Sequence, residues 1–457
     1  MAAQNDTIAA VSTPPGLGAI GILRLSGPRA VEIAGRCFKP LGRKALLEHR
    51  PRELVYGGLL DSGGQVIDRV LCTYSLSPSS YTGEDTAEFH CHGSPMVLTL
   101  GLEALFAAGA RQAQAGEFTR RAFLNGRLDL AQAEAVGDLL EAQSREGVRH
   151  AASQLAGALS RRIGDIYSAL LDVMAHFHAV LDYPDEDIDP FRMEQLDEAL
   201  ADQEGELNVL LSTCGRAKLL KEGVACAIVG RPNVGKSTLL NAMVGYERAI
   251  VTNIPGTTRD TVEERCELGG VPLRLIDTAG LRETDDPVER LGVERSRRAM
   301  EEAELILVLI DSSQPAEEED FVLLQEAMKL APTILVWTKG DLSSAPFPAV
   351  NMKLPASVTV SAKTKYLDEL CQEISHAFPQ DLWWDYGQLL TNARQEEAAR
   401  RAAAAVHRAR EALTAGVTPD ALLTDVEEAL SALGELTGQS VREDVTDRIF
   451  ARFCVGK

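Results

Sequence analysis

The nine residues GRPNVGKST, Gly230–Thr238, constrain this chain more than any other stretch. They match G-x-x-x-x-G-K-[ST], with the strand-like run VACAIVG before and the helix-like TLLNAMVG after. That strand–loop–helix context makes the glycines useful: they let backbone amides approach phosphate oxygens, and the helix N-terminus adds a favourable field. Lys236 then spans the outer phosphates, and the Ser237 hydroxyl suits Mg²⁺. Such a loop sits at the end of a buried parallel strand. VACAIVG, LRLIDTAG, LILVLIDSS and TILVWTKGD supply short apolar strand runs, alternating with helical sequence between 221 and about 375.

Four further motifs follow in order. In GTTRD (Gly256–Asp260), Thr258 is placed to complete the Mg²⁺ shell and sense a γ-phosphate. DTAG, comprising Asp277, Thr278, Ala279 and Gly280, ends a strand. Asp277 suits outer-shell Mg²⁺ support, and the Gly280 amide suits the γ-phosphate. TKGD, comprising Thr338, Lys339, Gly340 and Asp341, ends another strand. The Asp341 carboxylate can accept both donors of the guanine edge, which adenine lacks, so the nucleotide is GTP. SAK, comprising Ser361, Ala362 and Lys363, supports the base from its far side. Order and spacing together predict a Ras-like G domain. Two absences stand out. Leu281 follows DTAG where many GTPases place a water-positioning glutamine, and Thr338 stands where NKxD has asparagine. The lost amide predicts guanine specificity with looser affinity.

A chain of 457 residues has room for two or three cores. Its net charge of −21 argues against a general nucleic-acid-coating surface, though not against a local basic patch. The eight cysteines are scattered without a C-x-x-C pair, which predicts a reducing cytoplasm rather than a disulfide framework. The N-terminus lacks a signal-peptide pattern, and no apolar run is long enough to predict a membrane span. The first part mixes short strands and turns with helical pieces such as PRAVEIAGRCF. From 117 to 215 apolar residues recur at three-and-four spacing, which predicts long amphipathic helix interrupted by DYPDEDIDP. Helical sequence returns after 385. The predicted fold class is therefore multidomain α+β and α/β: an N-terminal α+β domain (1–118), a helical domain in two parts (119–218 and 378–457), and a Ras-like P-loop domain inserted between them (219–377). The helices flanking the insertion would share one core and carry the C-terminal tail back toward the earlier part of the chain.

TPPGLGAIGILRLSG, YTGEDTAEFHCHGSP, GEFTRRAFLNGRLDLAQAEAV, TNIPGTTRD, DTAGLRETDDPVERLG and the final FCVGK resemble, almost end to end, the MnmE (TrmE) family of tRNA modification GTPases. The resemblance implies that Asn233 coordinates K⁺. It also implies that the loop Thr252, Asn253, Ile254, Pro255, Gly256, Thr257, Thr258 wraps that ion, with ligands from Thr252, Ile254 and Thr257. Val234, Gly235 and Thr238 complete the phosphate loop. A monovalent cation at the β–γ bridge does the work of an arginine finger, worth roughly 10³–10⁵ in rate. Glu289 matches the acidic residue that positions the attacking water; on residue type alone it reads as a solvated helix carboxylate. Arg24, Glu88, Arg127 and Lys457 match contacts to a tetrahydrofolate derivative, 5-formyl or 5,10-methylene. Many relatives carry lysine at the Arg127 position. By composition alone, Arg24 and Arg127 read as surface charge and Glu88 as a solvent-facing strand residue. The resemblance further implies a homodimer and a larger complex with the FAD-containing MnmG. Its product is an aminomethyl-type (carboxymethylaminomethyl) group on C5 of the wobble uridine of certain tRNAs, with nitrogen from glycine or ammonium.

HCHG (His90–Gly93) looks like a metal cluster, but its side chains alternate across a strand and cannot all face one ion. Cys454 has three readings. As a lipid site CVGK fails, because Gly456 is not aliphatic and Lys457 is not a usual last residue. As filler it would pack as a small hydrophobe. As chemistry it needs a cofactor nearby, with Lys457 and Arg452 favouring a thiolate; the family tail carries the same cysteine, as nucleophile or proton donor. A ribosome-assembly GTPase switch without folate chemistry would share the central domain, but it predicts a basic appendage. A membrane-transport GTPase would need a spanning segment.

Overall fold

The computed structural model describes residues 6–142, 144–182, 193–215, 219, 222–246, 264–276, 289–342, 354–361, 366–378, 387–416, 419–439, 443–451 and 453–456. The chain forms two compact units, Met1–Gly137 with Leu430–Lys457, and Asp138–Ala429.

The first unit is built on a seven-stranded sheet. Its strands are β1 (Ile8–Val11), β2 (Gly18–Ser26), β3 (Phe38–Pro40), β4 (Val55–Leu60), β5 (Val66–Ser75), β6 (Thr86–Gly93) and β7 (Arg111–Gln112), in the order β3-β4-β5-β6-β2-β1-β7. Pairing is antiparallel except between β1 and β7. The period of two sorts the faces. On β2, Leu23 and Leu25 are fully buried while Ile22 and Arg24 face the other way; on β6, Ala87, Phe89 and Cys91 are buried while Glu88 and His90 are half-exposed. Helices α1 (Ala30–Cys37) and α2 (Pro95–Ala107) cover the apolar face, and Phe38 meets Phe89 edge-on at 6.1 Å. Each such large side chain contributes about 1.5–3 kcal/mol by leaving water. Helix α3 (Glu117–Leu124) is fixed by charge as well. Arg121, 2 % exposed, bonds Asp6, Glu84 and Glu117, and Arg111 shares Asp6 and Glu117. Arg121 and Glu117 are both buried, and removing either leaves the other's charge uncompensated, a loss of about 3–5 kcal/mol.

The second unit contains a six-stranded sheet: β8 (Val224–Gly230), β9 (Glu264–Leu268), β10 (Val271–Leu275), β11 (Leu305–Asp311), β12 (Thr333–Thr338) and β13 (Ala356–Thr359). Its order is β13-β12-β11-β8-β10-β9, parallel apart from the β9–β10 hairpin. Both faces are covered. Cys226, Leu307 and Val336 belong to one core, and Ala227, Val308 and Leu335 to the other. That double burial is why these strands are unbroken apolar runs.

Among the described residues the remaining helices are α4 (Leu130–Glu141), α5 (Arg145–Leu155), α6 (Ala158–Asp182), α7 (Met193–Leu211), α8 (Lys236–Tyr246), α9 (Glu289–Glu302), α10 (Glu318–Leu330), α11 (Asp368–Ala377), α12 (Ala393–Thr414), α13 (Pro419–Thr437) and α14 (Glu443–Phe450). The stretch 117–215, expected as long amphipathic helix interrupted at DYPDEDIDP, is divided further, into α3–α7. Gly126 and Gly157 adopt left-handed φ of 66° and 84°, and Ser144 caps α5 by accepting from the Gly147 amide at 3.0 Å. Periodicity carries straight through such breaks, because the same apolar spacing resumes in the next helix. Helices before and after the sheet do share a core. Arg410 of α12 donates to Asp197 and Glu204 of α7 at 2.8 and 2.6 Å, beside the buried Leu200, Leu207, Ala402 and Val406. The return segment Gly387–Leu390 is held by helical side chains: the Gly387 amide donates to His150 Nδ1 at 2.9 Å, and the Leu390 amide to Thr213 Oγ1 at 3.2 Å.

Candidate functional site

The phosphate loop runs from the end of β8 into α8. Three of its residues need left-handed backbone: Asn233 at φ 63°, Gly235 at 96° and Gly230 at 155°. Gly235 has open space around its Cα, with only Thr338 as near as 3.9 Å to an added methyl. Val234 is buried and anchors the loop, while Asn233, Ser237 and Thr238 lie at its mouth. Lys236 Nζ donates to the carbonyls of Gly230 at 2.6 Å and Arg231 at 3.0 Å. Burial lowers its pKa from the usual lysine value, because the charged form loses hydration. The loop is also tied sideways: Arg231 Nε donates to the buried Asp320 at 2.9 Å and pairs with Glu317, at the start of α10.

At the TKGD end of β12, where the sequence predicts base recognition, Ser361 Oγ donates to Asp341 Oδ1 at 3.0 Å, orienting an otherwise exposed carboxylate. Lys339 takes φ 57° and pairs with Asp311 at 2.5 Å, and the Gly340 amide donates to the Val360 carbonyl at 3.2 Å. Asp311 is nearly buried, which by itself would raise its pKa, yet Lys339 and Ser313 hold it below the usual carboxylate range. Thr338 also makes a contact that its place in the motif does not announce. It is 4 % exposed, and its hydroxyl donates to the Val234 carbonyl at 2.6 Å. It is a strut between phosphate loop and base strand. Sequence could not reveal this, because the partner is a backbone carbonyl 104 residues away.

Thr252, Asn253, Ile254, Pro255, Gly256, Thr257, Thr258, Asp277, Thr278, Ala279, Gly280, Leu281, Ala362, Lys363, Arg452 and Lys457 lie outside the described residues, as does DYPDEDIDP apart from Asp182. Glu289 opens α9, and its side chain is likewise outside them. Ser237 and Asn233 are thus the described members of the Mg²⁺ and K⁺ sets. Both are exposed at the loop mouth, each with a side-chain oxygen of the kind a hard cation takes.

In the first unit, Arg24 and Glu88 are register partners on β2 and β6 and form an ion pair at 2.7 Å. Tyr81 and Phe118 lie 6.0 and 5.8 Å from the Arg24 guanidinium, and His90 Nε2 stands 3.6 Å from Glu88 Oε2. Residue type alone does not single out Tyr81 or His90 for this place. Both fall within YTGEDTAEFHCHGSP, and the two-residue spacing of Glu88 and His90 is the one signal that puts them on a common face. Cys91 points into the core on the opposite face from His90. Arg127 is exposed, and its stem borders Gly83, where a methyl would meet it at 3.1 Å.

The C-terminal tail closes on this same sheet. Val455 bridges to Ala115, the Gly116 amide donates to the Cys454 carbonyl at 3.4 Å, and Ser12 Oγ donates to the Gly456 carbonyl at 2.9 Å. Phe450, 2 % exposed, packs on Phe123 and Phe453. Cys454 is exposed, its carbonyl held by the Gly116 amide, and two residues further on Gly456 meets Ser12 just past β1, the strand next to the β2 that carries Arg24.

Two family models match this chain: the MnmE helical domain over residues 130–454, and the GTP-binding protein TrmE N-terminus over residues 7–127. The chain belongs to the MnmE family of tRNA modification GTPases. A tRNA modification GTPase MnmE from Chloroflexus aurantiacus is 46 % identical over 99 % of this chain and 100 % of its own length. Those of Heliobacterium modesticaldum and Roseiflexus sp. are 43 % and 44 % identical over 99 % of this chain, and over 100 % and 99 % of their own. The family's two matched regions meet the N-terminal sheet from opposite ends of the sequence: the N-terminal model covers Arg24 and Glu88, and the helical model reaches Cys454.

Proposed function

We propose that this chain is a K⁺-stimulated GTPase. With the FAD-containing MnmG, it adds a carboxymethylaminomethyl-type group to C5 of the wobble uridine in certain tRNAs, drawing one carbon from a tetrahydrofolate derivative. In this reading Lys236 binds the outer phosphates, Asp341 selects guanine, Ser237 and Thr258 hold Mg²⁺, and Glu289 orients the attacking water. A potassium ion on Asn233, Thr252, Ile254 and Thr257 supplies positive charge at the β–γ bridge. Arg24, Glu88, Arg127 and Lys457 bind the folate. Cys454 acts on the uridine or donates a proton. The protein works as a homodimer in the cytoplasm, and its eight free cysteines are consistent with a reducing compartment. Its domains are divided as 1–118, 119–218, 219–377 and 378–457.

The observation that carries this reading is the docking of the Cys454 tail onto the sheet that bears Arg24 and Glu88. An exposed thiol on a tail anchored to that sheet supports covalent chemistry, for which a pure switch has no need. The test is titration of the full-length protein with 5-formyltetrahydrofolate, alongside GTP hydrolysis in KCl and in NaCl. Saturable folate binding and faster turnover in KCl are expected, with the potassium effect lost in Asn233→Ala. Equal rates in both salts would remove the potassium mechanism. Absent folate binding, with ribosomal co-sedimentation instead, would favour the assembly GTPase.

A further inference from the structure

We infer that the edge of the N-terminal sheet around β3 is a docking surface for the phosphate backbone of the RNA substrate. The inference rests on the proposed action on tRNA and adds where that RNA is held. Between Arg36 and Arg52 the sequence carries one carboxylate, Glu48, against a run of lysines and arginines, in a chain of net charge −21. The segment runs from the last turn of α1 through β3 and the loop that follows to the start of β4. Lys39, Arg43, Lys44 and Arg50 are all exposed. None of the four forms a side-chain ion pair among the described residues, although Lys44 lies within the field of Glu53.

The local carboxylates are hydrogen-bonded, and the cations outnumber them. Glu32 pairs with Arg29 and Arg36, Glu48 accepts from the Ala45 amide, and Glu53 accepts from the Arg50 amide and His49. Arg43, Lys44 and His49 line a surface cleft of about 480 Å³ together with Leu54, Tyr56 and one carboxylate, Glu53, which the two cations outnumber. Tyr56 is 50 % exposed, and Leu41 and Leu47 are exposed nearby. Cations with no ion pair of their own, beside an exposed ring, suit a sugar-phosphate chain with a platform for a base.

Protection of an edge strand accounts for only part of this cluster. Lys39 and Pro40 do guard β3 against pairing with another chain, a common device. Arg43, Lys44 and Arg50 lie beyond the strand and serve no such purpose. The overall negative charge does not cancel the patch, because charges more than about 8 Å away are largely screened at physiological salt.

The test measures binding of an unmodified tRNA transcript to the full-length protein across a KCl series, alone and with the FAD-containing partner. One variant carries Lys39→Gln, Arg43→Gln, Lys44→Gln and Arg50→Gln. A control of equal charge change carries Arg149→Gln, Arg297→Gln, Arg400→Gln and Arg408→Gln, exposed cations that already have carboxylate partners. GTP hydrolysis reports that both are folded. The surface variant should weaken binding at least about tenfold and flatten the salt dependence by about 0.7–0.9 per lost contact, while the control stays near wild type. Wild-type-like binding by the surface variant, or equal loss in both variants, would overturn the surface and leave the tRNA reading intact. Absence of salt-dependent tRNA binding by the wild type would overturn both.

Discussion

Thr338 donates its hydroxyl to the backbone carbonyl of Val234 at 2.6 Å, joining the base-reading end of β12 to the phosphate loop. Ile310 offers a second, longer acceptor at 3.3 Å. Besides its place in the expected guanine motif, Thr338 ties the end of β12 to the loop that precedes α8.

Thr338→Val keeps the shape and removes the donor. It leaves a buried carbonyl unpaired, a loss of about 1–3 kcal/mol. Nucleotide affinity should fall roughly tenfold, since each 1.4 kcal/mol is a factor of ten. Thr338→Ser should stay close to wild type. Fluorescent GTP-analogue titration reads both, and a valine variant with unchanged affinity and melting temperature would refute the strut.

Asp341 is held by Ser361 with its carboxylate outward. Asp341→Asn replaces one acceptor by a donor, which mismatches guanine and matches the carbonyl of xanthine. GTP binding should weaken at least about tenfold while XTP binding strengthens, each charge-assisted hydrogen bond being worth roughly 1.5–3 kcal/mol. Competition between GTP and XTP measures the exchange. Unaltered preference for GTP would place base recognition elsewhere.

Gly456 sits at φ 96°, and a methyl on it would lie 2.2 Å from the Val11 carbonyl. Gly456→Ala should therefore lift the tail from β1. Wobble-uridine modification should drop as severely as in Cys454→Ser, with GTP hydrolysis near normal in both. Full modification activity in the alanine variant would show that tail docking is dispensable.

His150 is buried, and desolvation lowers its pKa to about 4, against a smaller opposing effect of Asp138. The unfolded chain protonates near 6.5, so it binds more protons than the folded one between about pH 6.5 and 4. Stability is complete above about 6.5 and falls as pH drops through that window, by up to about 3 kcal/mol. Protonation would also cost Nδ1 its role as acceptor for the Gly387 amide. His150→Asn retains an acceptor and should lose much of this acid sensitivity. Urea unfolding of both forms at about pH 7 and about pH 5 decides it; parallel losses would mean that another group titrates.

Much of the fold is legible from local pattern. VACAIVG, LILVLID and TILVWT are strands because parallel strands buried on both faces need uninterrupted apolar sequence. GRPNVGKST names its own loop, since few sequences combine those glycines with a lysine entering a helix. The breaks between α3 and α7 are less legible. Gly126 and Gly157 interrupt the backbone without interrupting the apolar period. Tyr81 beside Arg24, and His150 against Gly387, escape local reading altogether, because each pair meets only after distant segments pack.

The sequence by itself determined the chemistry available: a phosphate-loop motif, a carboxylate at the end of a parallel strand, paired charges on strands, and a thiol near the end. Those choices are local, set by residue type and spacing. Only the tertiary structure decided that Thr338 braces Val234, that Arg24 and Glu88 share one register position, and that Cys454 reaches the N-terminal sheet. The reason is physical: such pairings depend on strand register and on where a tail's backbone hydrogen bonds are satisfied, and both are fixed by burial across the whole unit.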